Sequence, residues 1–126
     1  MVSQTAEYGL QAVLFLARRE GGPAVAQDIS DATGVPKGYL HKILRRLGKA
    51  GILGSQRGVG GGYVLLKPAS QISALQIIRA TASPMNAQIT NSKAEDPVHL
   101  MIQSAARRMD ELFESTSVQD LIESAV

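Results

Sequence analysis

Two histidines, three tyrosines and no cysteine leave this chain of 126 residues few side chains for covalent or metal chemistry. Without thiols there is no disulfide, no thiolate nucleophile and no ordinary thiolate-held iron–sulfur cluster. His41 and His99 lie far apart and read as two unrelated residues rather than a zinc pair. No carboxylate pair, activated nucleophile or metal-ligand cluster is spaced for catalysis. Most acids fall on amphipathic stretches, the serines and threonines read as caps and loop residues, and Tyr8, Tyr39 and Tyr63 read as packing tyrosines. An enzyme is not expected, and neither a metal nor another cofactor.

The spacing that stands out is suited to a polyanion. Residues 57–65 read RGVGGGYVL, four glycines within six positions and then an apolar run. Glycine loses more conformational freedom on folding than any other residue, so such a cluster needs a cause. A dinucleotide fingerprint would need glycine where Tyr63 stands, and a phosphate loop would need Gly-Lys-Ser/Thr, which never occurs. Both motifs also open a helix, whereas a strand is expected here. A hairpin wing fits better: its glycines take positive φ, Gly61 among them, and let backbone N–H groups approach phosphates. Arg57 at its root can enter a minor groove, whose negative potential attracts arginine. The alternative is a turn whose glycines are structural only.

Charge supports the wing. Residues 32–94 contain nine Lys or Arg and no acid, whereas residues 1–31 hold two cations against four acids and residues 95–126 two against seven. The net charge of +2 therefore conceals a basic middle between acidic ends, suited to nucleic acid in the middle only. The bland alternative is a solvated basic surface.

The elements that must carry these residues are mostly helical. Ser3 or Thr5 caps a first helix to about Arg19, with Ala6, Leu10, Val13, Leu14 and Ala17 inward. A second helix spans about Ala26 to Thr33 and stops at Gly34. Val35-Pro36 opens a third, Lys37 to Ala50, whose Leu40, Ile43, Leu44 and Leu47 form one buried stripe. Lys37, His41, Lys42, Arg45 and Lys49 are left on its other sides, which makes the pair a helix-turn-helix with a basic outer face. Ile52–Gln56 and Gly62–Leu66 read as the two strands of the wing. Ser73 caps a fourth helix to about Ala82, with Leu75, Ile77 and Ile78 inward.

Residues 83–95 read as a flexible loop. Asp96-Pro97 then starts a long helix reaching about Glu114. Its Val98, Ile102, Ala105, Met109 and Leu112 are spaced as a coiled-coil seam, widened by Met101 and Phe113. Packing within the chain is the alternative for this face. A short helix from Val118 to about Ser124 closes the sequence. The fold class is mainly α with a small β-hairpin: a winged helix-turn-helix domain at 1–82, a loop at 83–95, and a dimerisation helix with its short successor at 96–126. No apolar run is long enough to span a bilayer and MVSQTAEYGL lacks a signal-peptide pattern, so a cytoplasmic protein without membrane partners is expected.

Three stretches, EYGLQAVLFLA, ISDATGVPKGYLHKILRRLGKAGIL and RGVGGGYVLLKPASQISALQII, resemble the Rrf-two family of bacterial winged-helix transcriptional regulators, the IscR-, NsrR- and CymR-like proteins. The likeness is close over about residues 3–82 and looser in the C-terminal helix. It implies a homodimer that binds a palindromic operator on double-stranded DNA, as a repressor, with the long helix crossing to its mate. The family's major-groove contacts fall on Pro36, Lys37, Gly38, Tyr39, His41 and Lys42, joined by Arg45. Its minor-groove contacts fall on Arg57 with Gly58, Gly60, Gly61 and Gly62. Cluster-binding members carry three cysteines before the dimerisation helix, whereas the matching ASPMNAQITNSKAEDPVHL has none. The regulator is thus expected to work without an iron–sulfur cluster, responding to a small-molecule effector, to a protein effector, or to nothing beyond its own concentration. A winged-helix protein-interaction module that has lost DNA binding is the alternative.

Overall fold

The computed structural model describes residues 2–19, 22–82 and 96–124. The loop expected at 83–95 lies outside the described residues. In chain order the elements are α1 (Gln4–Arg18), α2 (Ala26–Thr33), α3 (Lys37–Lys49), β1 (Leu53–Gln56), β2 (Gly62–Leu65), a 3₁₀ turn (Ala69–Gln71), α4 (Ala74–Thr81), α5 (Pro97–Ser115) and α6 (Val118–Ser124).

Local chemistry sets these bounds. Ser3 Oγ accepts from the Ala6 N–H at 3.2 Å to start α1. Ser73 and Gln76 exchange side-chain and backbone hydrogen bonds at the start of α4, a reciprocal capping box. Asp96 Oδ1 accepts from the Val98 N–H at 2.7 Å, with Pro97 at the first helical position of α5. Gly34 ends α2 in the left-handed region at φ 79, a conformation costly for any residue with a Cβ.

The core lies among α1–α4 and the base of the hairpin. Leu40, Ile43, Leu44 and Leu47 of α3 are all buried, as their spacing requires. They join Val13, Ile29, Val35, Ile52, Leu53, Ile72 and Ile77, and Val118 of α6 completes the cluster. Val118 enters because its N–H donates to Ile72 O at 2.8 Å while the Ala74 N–H donates to Thr116 O at 2.8 Å, pinning α6 beneath the start of α4.

The expected inward stripe of α1 is turned. Ala6, Gly9, Ala12, Val13 and Leu16 are buried, whereas Leu10, Leu14 and Ala17 are half-buried. The cause is a close crossing with α4: a Cβ on Gly9 would stand 2.8 Å from Thr81 Cγ2. Gly9 therefore faces α4, and Leu10, Leu14 and Ala17 pack against the core while half-buried.

The antiparallel hairpin pairs Leu53 with Leu65, Gly54 with Val64, Ser55 with Tyr63 and Gln56 with Gly62. Ala24, between α1 and α2, bridges the other edge of β2: its N–H donates to Tyr63 O at 3.1 Å and its carbonyl accepts from the Tyr63 N–H at 2.7 Å. This single-residue pairing fastens the hairpin base to the front of α2. No helix among the described residues is long and apolar enough to cross a membrane.

Candidate nucleic-acid interface

The turn between α2 and α3 is held by its own polar groups. Ser30 Oγ donates to Val35 O at 2.7 Å, Thr33 Oγ1 donates to Ile29 O at 2.6 Å, and Thr33 Oγ1 accepts from the Val35 N–H at 3.3 Å. The Gly34 N–H donates to Ser30 O at 2.9 Å. These bonds fix the angle at which α3 leaves α2.

With its apolar stripe buried, α3 exposes Pro36, Lys37, Gly38, Tyr39, His41, Lys42, Arg45 and Lys49. Pro36 offers no side-chain acceptor to the first turn; the Tyr39 N–H donates to Pro36 O at 3.1 Å, and the N–H groups of Lys37 and Gly38 are left for an outside acceptor such as a phosphate oxygen. No acid occurs anywhere on α3 or the hairpin to neutralise the cations.

Two supports escaped the sequence reading. Lys37 Nζ donates to Gln27 Oε1 at 3.1 Å, and Gln27 Nε2 donates to Asp31 Oδ1 at 2.8 Å, so α2 orients the first cation of α3. Tyr39, 60% exposed, leans on Tyr8 of α1 with ring centroids 6.3 Å apart and planes at 55°. Tyr8 accepts at its hydroxyl from Gln4 Nε2 at 2.8 Å. The partners are distant in sequence, and neither pairing follows a helical period.

Arg57 is exposed at the root of the wing and Val59 is fully exposed at its tip. Gly58 and Gly60 take φ 99 and 78 with open space around them, and the Gly61 N–H closes the turn onto Gly58 O at 3.0 Å. Gly61 itself departs from expectation, because its φ is not positive. It is glycine for want of room: a Cβ there would collide with the Gln56 carbonyl. Gly62 is crowded likewise, its Cβ position lying 2.5 Å from Ala24 O. The four glycines thus divide by need: Gly58 and Gly60 for positive φ, Gly61 for space, and Gly62, at φ 150, for both.

No residue of α5 is fully buried. Val98, Met101, Ile102 and Leu112 are 56%, 64%, 42% and 61% exposed, and Ala105 is exposed too. Met109 and Phe113 are half-buried, facing back toward α1 and α4. With Met101, Ile102 and Ala105 they line one side of an open apolar groove of about 580 Å³, whose other side is Ala6, Ile78 and Ala82. The structure divides the expected seam: Val98 and Leu112 lie outside the groove, the other five residues along it.

Comparison with known proteins bears on the family and the fold. The family model described as "Rrf2: Iron-dependent Transcriptional regulator" matches residues 2–124. A relative from Rhodobacter capsulatus, an Rrf2-like HTH-type transcriptional regulator, is 38% identical over 89 residues, 68% of this chain and 59% of that protein. The HTH-type transcriptional regulator IscR of Cronobacter sakazakii is 40% identical over 81 residues, 64% of this chain and 50% of that protein. The matches thus span little more than half the length of these curated relatives. Among solved structures, an IscR from T. potens superposes with a TM-score of 0.85 at 27% identity, covering all of this chain and 88% of the other. CymR, the global cysteine regulator of B. subtilis, gives 0.85 at 28%, covering all of this chain and 98% of the other.

A thiolate-held iron–sulfur cluster needs cysteines, and this chain has none to give. Among the described residues no three His, Asp or Glu side chains gather closely enough to hold a metal ion. The residues present do not fit a thiolate-held cluster.

Proposed function

Because this chain belongs to the Rrf2 family of transcriptional regulators, which are not enzymes, we propose that it binds specific DNA sequences as a homodimer and represses transcription from a palindromic operator. The observation that carries this is the division of α3: Leu40, Ile43, Leu44 and Leu47 are sealed in the core, while Lys37, His41, Lys42 and Arg45 stand exposed.

In this reading residues 1–82 form the DNA-binding domain, residues 83–95 connect it, and residues 96–126 form the dimerisation unit of a cytoplasmic protein. The start of α3, from Pro36 to Lys42 with Arg45, enters the major groove, where side chains distinguish all four base pairs. Tyr39, steadied by Tyr8, and Lys37, steadied by Gln27, meet the sugar–phosphate backbone with little freedom left to lose. Arg57 enters the minor groove, and Gly58 and Gly60 let the wing lie against the backbone.

Pairing through α5 sets two recognition helices about one helical turn, roughly 34 Å, apart, so one protomer secures only a half-site. The α5 surface that a single chain leaves exposed includes Val98, Leu100, Met101, Ile102 and Leu112, and burying these side chains supplies the association energy. Regulation proceeds without a cluster, through a small-molecule or protein effector.

Selection from a pool of random-sequence duplexes tests the proposal. Rounds of binding and amplification should enrich a two-fold symmetric motif. A pool that stays random would leave only sequence-independent binding to a basic surface.

A further inference from the structure

Of the five cations on α3, Lys37, Lys42, Arg45 and Lys49 are exposed, whereas Arg46 is half-buried. Its Nη1 donates to the Thr81 carbonyl at 3.1 Å. Thr81 is the last residue of α4 and fully buried, and its hydroxyl donates back to Ile77 O at 2.9 Å and Ile78 O at 3.2 Å. A carbonyl in the final turn has no intrahelical donor and lies at the negative end of the helix dipole. The guanidinium answers both needs at once.

Among the described residues this is the one side-chain hydrogen bond from the second half of α3 to another helix, beside the backbone bond from the Ile52 N–H to Leu47 O that closes the helix end. The α2–α3 turn and the Lys37–Gln27 bond fix its start. The buried leucine and isoleucine stripe sets which side of α3 faces the core, and the Arg46 bond adds a directional restraint on its rotation that non-directional apolar burial does not supply. Thr81 is itself clamped from the far side by the close α1 crossing at Gly9. Arg46 therefore joins α3 to a rigid corner of the fold.

We propose that Arg46 is a positioning residue for DNA recognition. It sets the rotation of α3, so that its exposed face meets the bases in register, and does not itself contact phosphate. The inference rests on the DNA-binding reading and adds to it.

The test uses Arg46→Met, which keeps an unbranched stem but removes the donors, and Arg46→Lys, which restores one. Each is titrated against the parent on the duplex selected by the parent and on a scrambled duplex, at several salt concentrations. Arg46→Met should lose about ten-fold on the selected duplex and change little on the scrambled one, the size expected of one misplaced base contact. Its slope of log K against log salt should match the parent, and Arg46→Lys should recover most of the loss. Equal weakening on both duplexes, with the slope flattened by about 2 per dimer, would make Arg46 a phosphate contact and overturn the proposal. So would parental affinity in Arg46→Met.

Hydrogen exchange of the free proteins supplies a reading independent of DNA. Arg46→Met should speed exchange at the end of α3 and in the last turn of α4 together, and unchanged exchange at both would refute the tether. A parent that selects no duplex would overturn the DNA-binding reading itself, and the exchange comparison would still decide whether Arg46 holds α3.

Discussion

Leu112→Glu probes the assembly most cleanly. Leu112 is 61% exposed on α5 and takes no part in the core, so its replacement should leave the fold of each protomer intact. Complete burial of a leucine is worth about 1.5–3 kcal/mol, of which about six-tenths, ~1–2 kcal/mol, remains to be gained on pairing. A two-fold axis counts the residue twice, giving about 2–4 kcal/mol per dimer before the cost of two desolvated carboxylates. That corresponds to a rise of about 30- to 700-fold in the dimer dissociation constant. Sedimentation velocity over a dilution series from micromolar to nanomolar measures it, with thermal unfolding followed by circular dichroism as the control. A dissociation constant within about three-fold of the parent would remove Leu112 from the interface and refute the α5 pairing. Met109→Glu is a poorer probe, because Met109 is half-buried against α1 and α4 and its loss would disturb the protomer too.

Arg57→Ala should lose about 1–3 kcal/mol on the selected duplex and less on a scrambled one, whereas Lys42→Ala should weaken both and flatten the salt slope by about 2 per dimer. Equal losses on both duplexes for Arg57→Ala would count against groove reading by the wing. Gly61→Val should reduce binding and loosen the hairpin, since its Cβ has no room beside the Gln56 carbonyl; parental affinity with parental amide shifts in β1 and β2 would contradict the crowding. Protein purified without air should be colourless and hold no stoichiometric iron or sulfide, and a visible absorption band with one cluster per subunit would contradict the donor-set reasoning.

Much of the fold was legible because punctuation in the sequence is strong. Gly34 and Val35-Pro36 delimit α2 and α3, Asp96-Pro97 opens α5, and the period of Leu40, Ile43, Leu44 and Leu47 fixes the buried side of α3. Interactions without a period were not legible. The Ala24–Tyr63 bridge is one residue long, and the contact between Gly9 and α4 turns the α1 stripe for reasons that lie on another helix. Gly61 shows the limit of composition: four neighbouring glycines look alike in sequence, yet Gly58 and Gly60 serve backbone dihedral angle, Gly61 serves space and Gly62 serves both. At the candidate interface, the exposure of Lys37, His41, Lys42, Arg45 and Arg57 followed from charge and periodicity. The orienting roles of Gln27, Tyr8 and Arg46 depend on tertiary neighbours that no local pattern announces.

Dimethyl sulfate footprinting of the parent on its selected duplex tests the central claim most directly, because the reagent reports guanine N7 in the major groove and adenine N3 in the minor groove. Two symmetric patches of N7 protection are predicted, about one helical turn apart, each accompanied by N3 protection that Arg57→Ala abolishes. Protection confined to one groove, or spread evenly along the duplex without symmetry, would contradict recognition by α3 and the wing of a dimer.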